Sequence, residues 1–456
     1  SPMPAWPAMA DSRGTATYLE GWGRFPRLPG RRYRPRPGPD LAGQMPGCRA
    51  IARGNGRAYG DSAIGVAATL EMRRFDRMLA FDPATGQLVA EAGVLLGDVI
   101  AAFLARGWFP AVTPGTKFVT LGGAIAADVH GKNHHVHGSF GACVDWIDLA
   151  DADGAVRRCS RTENADLFAW TVGGMGLTGV ILRAAIRLLK VDSAWIRQTT
   201  LPAPDLGRAI ATFEDNAAAT YSVAWIDCLA RGGELGRSLV MLGEHAGVED
   251  LDPDRRRAPF EVPRKRRVRM PLDAPGWALN GMTVRAFNRL YWRRGRAGAG
   301  TRLVDWDSYF YPLDAILGWN RIYGGRGFAQ FQCVLPLDRS ETGLRALLEA
   351  ISAAGQGSFL AVLKRFGAQD SPISFPMEGY TLALDFPATP RALALMDRLD
   401  RITLDHGGRF YLAKDSRMAQ ATLHASDPRV ADFTSMRRET GLRAHFASAQ
   451  SERLDL

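Results

Sequence analysis

The stretch CRAIARGNGRAYGDS, residues 48–62, decides how the rest of the chain is read. Its first half is a short β-prone run, and its second half breaks into a turn with glycines at Gly54, Gly56 and Gly60. The spacing G-x-G-x-x-x-G follows a strand, but Tyr59 stands where a dinucleotide fingerprint has its third glycine. Alone, such a loop is usually only a turn. Three companions change its weight: PGT at 114–116, TLGGAIA at 120–126 and GGMGLTG at 173–179. Four glycine-rich loops in one half of a chain offer backbone N–H groups without side-chain obstruction, which suits a pyrophosphate in an extended, phosphate-bearing cofactor.

Outward from these loops the pattern is mixed. ATLEM and QLVAEAGV read as strands, LLGDVIAAFLARGW as an amphipathic helix closed by Gly107, and VDWIDLADADG as another strand. From about residue 195 the strands lengthen (YSVAWIDCLA, GFAQFQCVLP, GYTLALDFP), with the helices ETGLRALLEAISAAG and PRALALMDRLDRITLDHG between them. The last segment returns to helix and carries Lys414. The expectation is an α+β protein with a cofactor domain from residues 10–192 and 409–456, and a substrate domain from 195–408 built on an antiparallel sheet flanked by helices. A length of 456 residues supports two domains, and 46% hydrophobic with 23% charged residues is an ordinary globular composition.

The net charge is +10, yet 51 arginines against six lysines point to an arginine-biased coding background. Local runs remain: RRR at 255–257, RKRRVR at 264–269 and WRRGR at 292–296, read as basic loops, either solvated or drawn to anionic lipid headgroups. No recognition motif accompanies them, so nucleic acid is not expected. Five scattered cysteines without CxxC argue for reduced thiols and against a zinc site. The opening SPMPAWPAMADSRG lacks the layout of a secretory signal, and no apolar run approaches the roughly 18 residues of a spanning helix. The expected location is cytoplasmic or peripheral to the inner membrane.

Four of eight histidines fall in DVHGKNHHVHGSFG, residues 128–141. Glycines break this run, and Asp128 is its only acid, so the spacing of a helical metal site is missing and no metal is expected.

RGNGRAYGD, PGTKFVTLGGAIAADVHGKNHHVHGSFG, GGMGLTG, WNRIYG and LAKDSR together resemble the FAD-binding oxidases of the vanillyl-alcohol-oxidase type. More narrowly they resemble the decaprenylphosphoryl-β-D-ribose oxidases, the flavin subunits of a 2′-epimerase. The similarity runs from about residue 45 to the C-terminus, and the histidine-rich segment and AKDS are its specific parts. It implies FAD as cofactor and oxidation of a sugar hydroxyl to a ketone. Implied cofactor contacts run through Arg53, Gly54, Asn55, Gly56, Arg57, Ala58, Tyr59, Gly60, Asp61 and Ser62. They continue at Gly115, Thr116, Thr120, Gly122, Gly123 and Ala127, then at His130, Asn133, His135, Gly138 and Ser139, and end at Gly179, Val180 and Tyr411. His134, His135 and His137 also admit a purely structural role, satisfying loop carbonyls.

Oxidation of a secondary alcohol needs a base for the hydroxyl proton while a hydride leaves carbon. The candidate base is Lys414, with Lys132 as the neighbouring cation that lowers its pKa. His130 and Tyr59 are implied beside the flavin ring. Trp225, Gln330, Gln332 and Lys364, with Lys132 and Lys414, match the family's substrate pocket. Related lactone oxidases carry a flavin-linking histidine in the first glycine loop; Arg57 stands there, so the FAD is expected to be noncovalent. The family's asparagine and cysteine, in a strand reading roughly NICVDFP, are Thr381 and Ala383 in TLALDFP. Implied partners are a polyprenylphosphoryl sugar, an NAD(P)H-dependent short-chain reductase completing the epimerisation, and quinone or oxygen as electron acceptor. An oxidase of free sugars, alditols or aldonolactones, and a flavoprotein that binds a lipid-linked sugar without turnover, remain the alternative readings.

Overall fold

A computed structural model describes residues 13–456; most of the N-terminal stretch read above for signal character lies outside them. The first glycine loop leaves the strand Ala50–Arg53, which pairs in parallel with Ala68–Glu71. That strand also pairs with Arg27–Tyr33, and Thr15–Glu20 completes a four-stranded sheet. The two N-terminal strands carry too little hydrophobic alternation to stand out in the sequence: RLPGRRY holds three arginines and a proline.

A second, antiparallel sheet centres on Val180–Lys190, whose neighbours are Gln87–Glu91 and Val144–Ala150, with Met78–Asp82 and Val156–Ser160 outside them. The helix read from LLGDVIAAFLARGW spans Leu96–Phe103, tightens through Leu104–Arg106 and stops at Gly107, whose φ of +85° only glycine adopts readily. Val99, Ile100 and Phe103 form its buried stripe.

The third sheet is antiparallel throughout and eight strands wide, from Gly300–Asp305 at one edge to Arg409–Phe410 at the other. Its central pairs bring Phe328–Pro336 against Gly379–Pro387, and Val362–Phe366 between Gly379–Pro387 and Tyr221–Ile226. Side chains alternate across a strand. Phe331, Cys333, Leu335, Leu363, Leu382 and Leu384 therefore share one face, fully buried in the largest core cluster with apolar residues of helices Leu206–Asp215, Ser340–Ala354 and Pro390–Asp405. The opposite face carries Gln330, Gln332, Lys364, Thr381 and Asp385, and it turns toward the glycine-rich half. One face thus builds a core and the other presents chemistry.

Two of the basic runs read as loops are helical. RRR closes the helix Pro253–Arg257, and WRRGR ends the helix Gly281–Ala297. The second starts at Asn280, whose side chain accepts from the N–H groups of Met282 and Thr283, and is held by Val284, Asn288 and Trp292 at four-residue spacing on its buried side. The tail forms helices Gln420–Ser426, Arg429–Glu439 and Ala449–Leu454. Among the described residues no helix is long and apolar enough to cross a membrane.

Candidate active site

The first glycine loop is built for close approach. A Cβ on Gly54 would fall 2.2 Å from Thr120 Oγ1, and one on Gly60 would fall 2.1 Å from the Asp415 carbonyl oxygen, while Gly56 has φ +68°. Tyr59 N–H donates to the Ala413 carbonyl at 2.9 Å, so the loop and the LAKDS segment are stitched together through backbone. Among the described residues nothing accepts the backbone N–H groups of Asn55, Gly56, Arg57 and Ala58. The N–H groups of TLGGAIA are spent otherwise: Leu121 and Gly122 donate to Val94 and Ala92, and Gly123 to Thr120 Oγ1, which caps helix Leu121–Ala126. TLGGAIA, read from the sequence as a loop with free N–H groups, is thus a capped helix, and of the two segments the first glycine loop holds the open donors.

Arg57 lies 3.9 Å over the Trp22 ring and 5.0 Å from the ring of Phe118. Arg53 is turned to the Glu20 carbonyl, and Asp61 is committed to Arg453 at 2.8 Å, with Ser62 buried beside it. Asn55 donates to the Phe118 carbonyl, Thr116 and the Lys117 N–H are held by Asp314, and Gly115 faces open space. Gly179, with φ +145°, starts the strand at Val180.

In the histidine segment each ring has its own task. His130 is buried among Phe366, Phe375 and Tyr411, with ring centres 4.7, 5.9 and 5.2 Å away. Gln332 Nε2 lies 3.1 Å from His130 Nε2 and 3.1 Å from Thr381 Oγ1, whose hydroxyl donates to the Cys333 carbonyl. That network makes the Gln332 amide the donor and leaves His130 a neutral ring with its proton on Nδ1. Burial, with nearby Lys364, pushes the His130 pKa well below the usual range, in agreement with a neutral imidazole. His134 contacts Gln369 and the Gly367 N–H, His135 the Ala219 carbonyl, and His137 is exposed. Ser139 donates to Asp128, Gly138 turns the chain with φ +75°, and the Tyr411 hydroxyl donates to the Ala127 carbonyl.

Lys414 Nζ sits 4.0 Å over the ring of Tyr59. Asp385, buried and accepting from Gln330 at 2.7 Å and from the Tyr323 hydroxyl at 3.2 Å, attracts it. Burial lowers the Lys414 pKa and the Lys364 cation lowers it further, while Asp385 opposes both; burial raises the Asp385 carboxyl in turn. The cation acting on Lys414 is thus Lys364, whose own pKa falls to about 8, and not Lys132 as the sequence suggested. Lys132 is lowered to about 7, but its amine donates to the Tyr309 carbonyl and lies 4.3 Å over that ring. Trp225 donates to the Phe359 carbonyl and packs on Tyr291 at 4.7 Å, one strand away from Lys364. Ala383 stands opposite Gln332, and no thiol shares that face: Cys333 points the other way.

Sequence reasoning missed Asp385, Tyr323 and Asp314. For Asp385 a signal existed: Thr381 and Ala383 stand two residues apart in the strand-like TLALDFP, and the same alternation reaches Asp385 next.

FAD fits these residues. Buried polar atoms without partners gather here, namely His130 Nδ1, Asn133 Oδ1, Gln330 Oε1 and Ser416 Oγ, alongside the open amides of the first loop. The FAD binding domain family matches residues 44–160, which span the first three glycine loops and the histidine segment. Decaprenylphosphoryl-β-D-ribose oxidase of Mycolicibacterium smegmatis (strain ATCC 700084 / mc(2)155) is 36% identical over 91% of this chain and 91% of its own length. The chain belongs to the decaprenylphosphoryl-β-D-ribose oxidase family. A Streptomyces coelicolor protein from the mprA 5′ region is 34% identical over 77% of this chain and 97% of its own length. Mouse L-gulonolactone oxidase is 30% identical over 33% of each chain. The family member described here is an FAD-dependent oxidoreductase of α+β fold.

Proposed function

We propose that the protein oxidises the 2′-hydroxyl of a polyprenylphosphoryl-β-D-ribose to the 2′-ketone, with noncovalent FAD, in the cytoplasm or at the periphery of the inner membrane. Bound FAD supplies the acceptor for the hydride that leaves C2′. Lys414 takes the hydroxyl proton as a neutral amine, a state its burial and Lys364 favour at moderate pH. Tyr59 and Asp385 position that amine, and Gln330, Gln332, Thr381 and Lys364 present polar groups to the sugar from one sheet face. His130 offers a neutral ring with an unpartnered Nδ1. Arg57, engaged with Trp22, has no nucleophilic nitrogen to bind a flavin covalently, so acid precipitation should release all the flavin into the supernatant. A ketone left in place has no biosynthetic use, so an NAD(P)H-dependent short-chain reductase is the natural consumer, and quinone or oxygen the electron acceptor.

The observation carrying this reading is the amine of Lys414 over Tyr59, at the edge of a buried polar sheet face. Anaerobic titration with polyprenylphosphoryl ribose tests it: the visible flavin band should bleach stoichiometrically. Bleaching by free alditols or lactones alone, or by no substrate, would overturn it.

A further inference from the structure

The site-bearing face of the large sheet continues into a surface that the oxidation does not use. Helix Gly281–Ala297 lies over it: Tyr291 packs on Trp225, and Trp292 is buried with Trp225 and Leu239. Trp225 stands opposite Val362, and Val362 opposite Ala383, so the helix and the site share one sheet face. At 100° per residue the helix has three sides. Val284, Asn288 and Trp292 face inward. Arg285, Arg289, Arg293 and Arg296 run along one outward flank, and Phe287, Leu290 and Tyr291 along the other. Met282 at the start is 79% exposed.

The preceding segment repeats the mixture. Arg266, Arg267 and Arg269 are exposed, and so are Leu272, at 77%, and Trp277, at 78%. Among the described residues none of these guanidinium groups forms an ion pair. The segment is tied to the site: Ala274 N–H donates to the Arg321 carbonyl at 3.0 Å, and Arg321 Nη1 to the Pro271 carbonyl at 2.8 Å. Arg321 lies in Trp319–Tyr323, whose Tyr323 hydroxyl donates to Asp385. Leucine, methionine and tryptophan side chains held out in water beside unpaired arginines match the acyl boundary and headgroups of an anionic bilayer. The same arginines would repel a second copy of this face.

We propose that helix Gly281–Ala297 and residues 264–280 form a platform that rests in the headgroup layer of an anionic membrane. The platform stands on its own charge and apolar exposure. That it delivers a lipid-linked sugar to the site without full extraction from the bilayer rests on the substrate reading above.

Cosedimentation of the FAD-loaded protein tests it with two kinds of vesicle, phosphatidylcholine alone and phosphatidylcholine with phosphatidylglycerol. Binding should require phosphatidylglycerol and weaken at high salt. Arg285→Glu/Arg289→Glu/Arg293→Glu should weaken it more than about tenfold, and Leu272→Ser/Trp277→Ser several-fold, with Tm and flavin content unchanged. Both variants should oxidise a soluble short-chain polyprenylphosphoryl ribose at the wild-type rate, but the vesicle-embedded long-chain substrate more slowly. Equal binding to both vesicles, or variants that bind like wild type, would overturn the platform. A change in oligomeric state on Leu272→Ser/Trp277→Ser without loss of vesicle binding would also overturn it, in favour of a self-association face. Failure of the soluble substrate to bleach the flavin would sink the substrate reading and leave the vesicle result standing.

Discussion

The amine of Lys414 is controlled by two charged neighbours of opposite sign, and that makes its role separable from structure. A general base must be unprotonated, so the rate of anaerobic flavin reduction should rise with pH through the Lys414 pKa and level off above it. Burial and the Lys364 cation lower that pKa from the ordinary lysine range, and Asp385 raises it. Lys364→Met removes a lowering charge and should move the ascending limb to higher pH; Asp385→Asn removes a raising one and should move it lower. Lys414→Met should cut the reduction rate by about 10²–10⁴-fold while flavin content stays at wild type. Stopped-flow reduction against pH checks all three, and limbs that shift together or stay put would exclude Lys414 as the base. Ala383 offers a second test. The nearest strand thiol, Cys333, faces the opposite core and its pKa is pushed up to about 12 by burial, so it stays an unreactive thiol. A thiol-bonding inhibitor of the pocket should therefore dissociate on dialysis from the wild type. From Ala383→Cys it should not, and mass spectrometry should find one adduct at that position.

Elements in this chain were legible where one local rule governs them. The first glycine loop, the helix ending at Gly107 and the strand at 379–387 need only nearest-neighbour reasoning, and the structure bears them out, whereas TLGGAIA, read as a loop, is the helix Leu121–Ala126. Helix Gly281–Ala297 was hidden because its arginines dominate the sequence, while the three residues that seat it are diluted over nine positions. The partners of Lys414 were hidden for another reason: Asp385 and Lys364 come from neighbouring strands, and only the register of a folded sheet puts them together. The first loop is where element and site meet. A Cβ at Gly60 would collide with the Asp415 carbonyl, which is backbone and cannot rotate away. Gly60→Ala should cost about 1–3 kcal/mol and loosen the loop from the LAKDS segment. The expected readouts are a lower Tm and weaker FAD retention on gel filtration; unchanged retention would show that the loop tolerates the shift.

Across the whole molecule, the tail reaches back to the first glycine loop. Arg453, three positions from the C-terminal residue, donates to Asp61 in the first glycine loop at 2.8 Å and to Asp415 beside Lys414 at 2.7 Å. Both carboxylates are buried, so one guanidinium neutralises two charges and fixes the distance between the loop and the Lys414 segment. Arg453→Met would leave two like charges facing each other with no counterion, a loss of about 3 kcal/mol by the usual cost of breaking a buried pair. Asp415 is held below the ordinary carboxylate range chiefly by Arg453, against burial, whereas burial leaves Asp61 above that range. The Asp415 contribution to stability is therefore present above the unfolded carboxylate pKa and lost as pH falls through the folded one; in the variant it vanishes. Thermal unfolding of wild type and Arg453→Met from neutral pH down to about pH 2 should show the gap largest near neutrality and fully closing only below about pH 4, where the wild type loses the Asp415 contribution. Arg453→Met/Asp61→Asn should recover part of the lost Tm at neutral pH by removing one of the stranded charges, and a double variant no better than the single would mean that the clamp holds the tail by shape and not by charge.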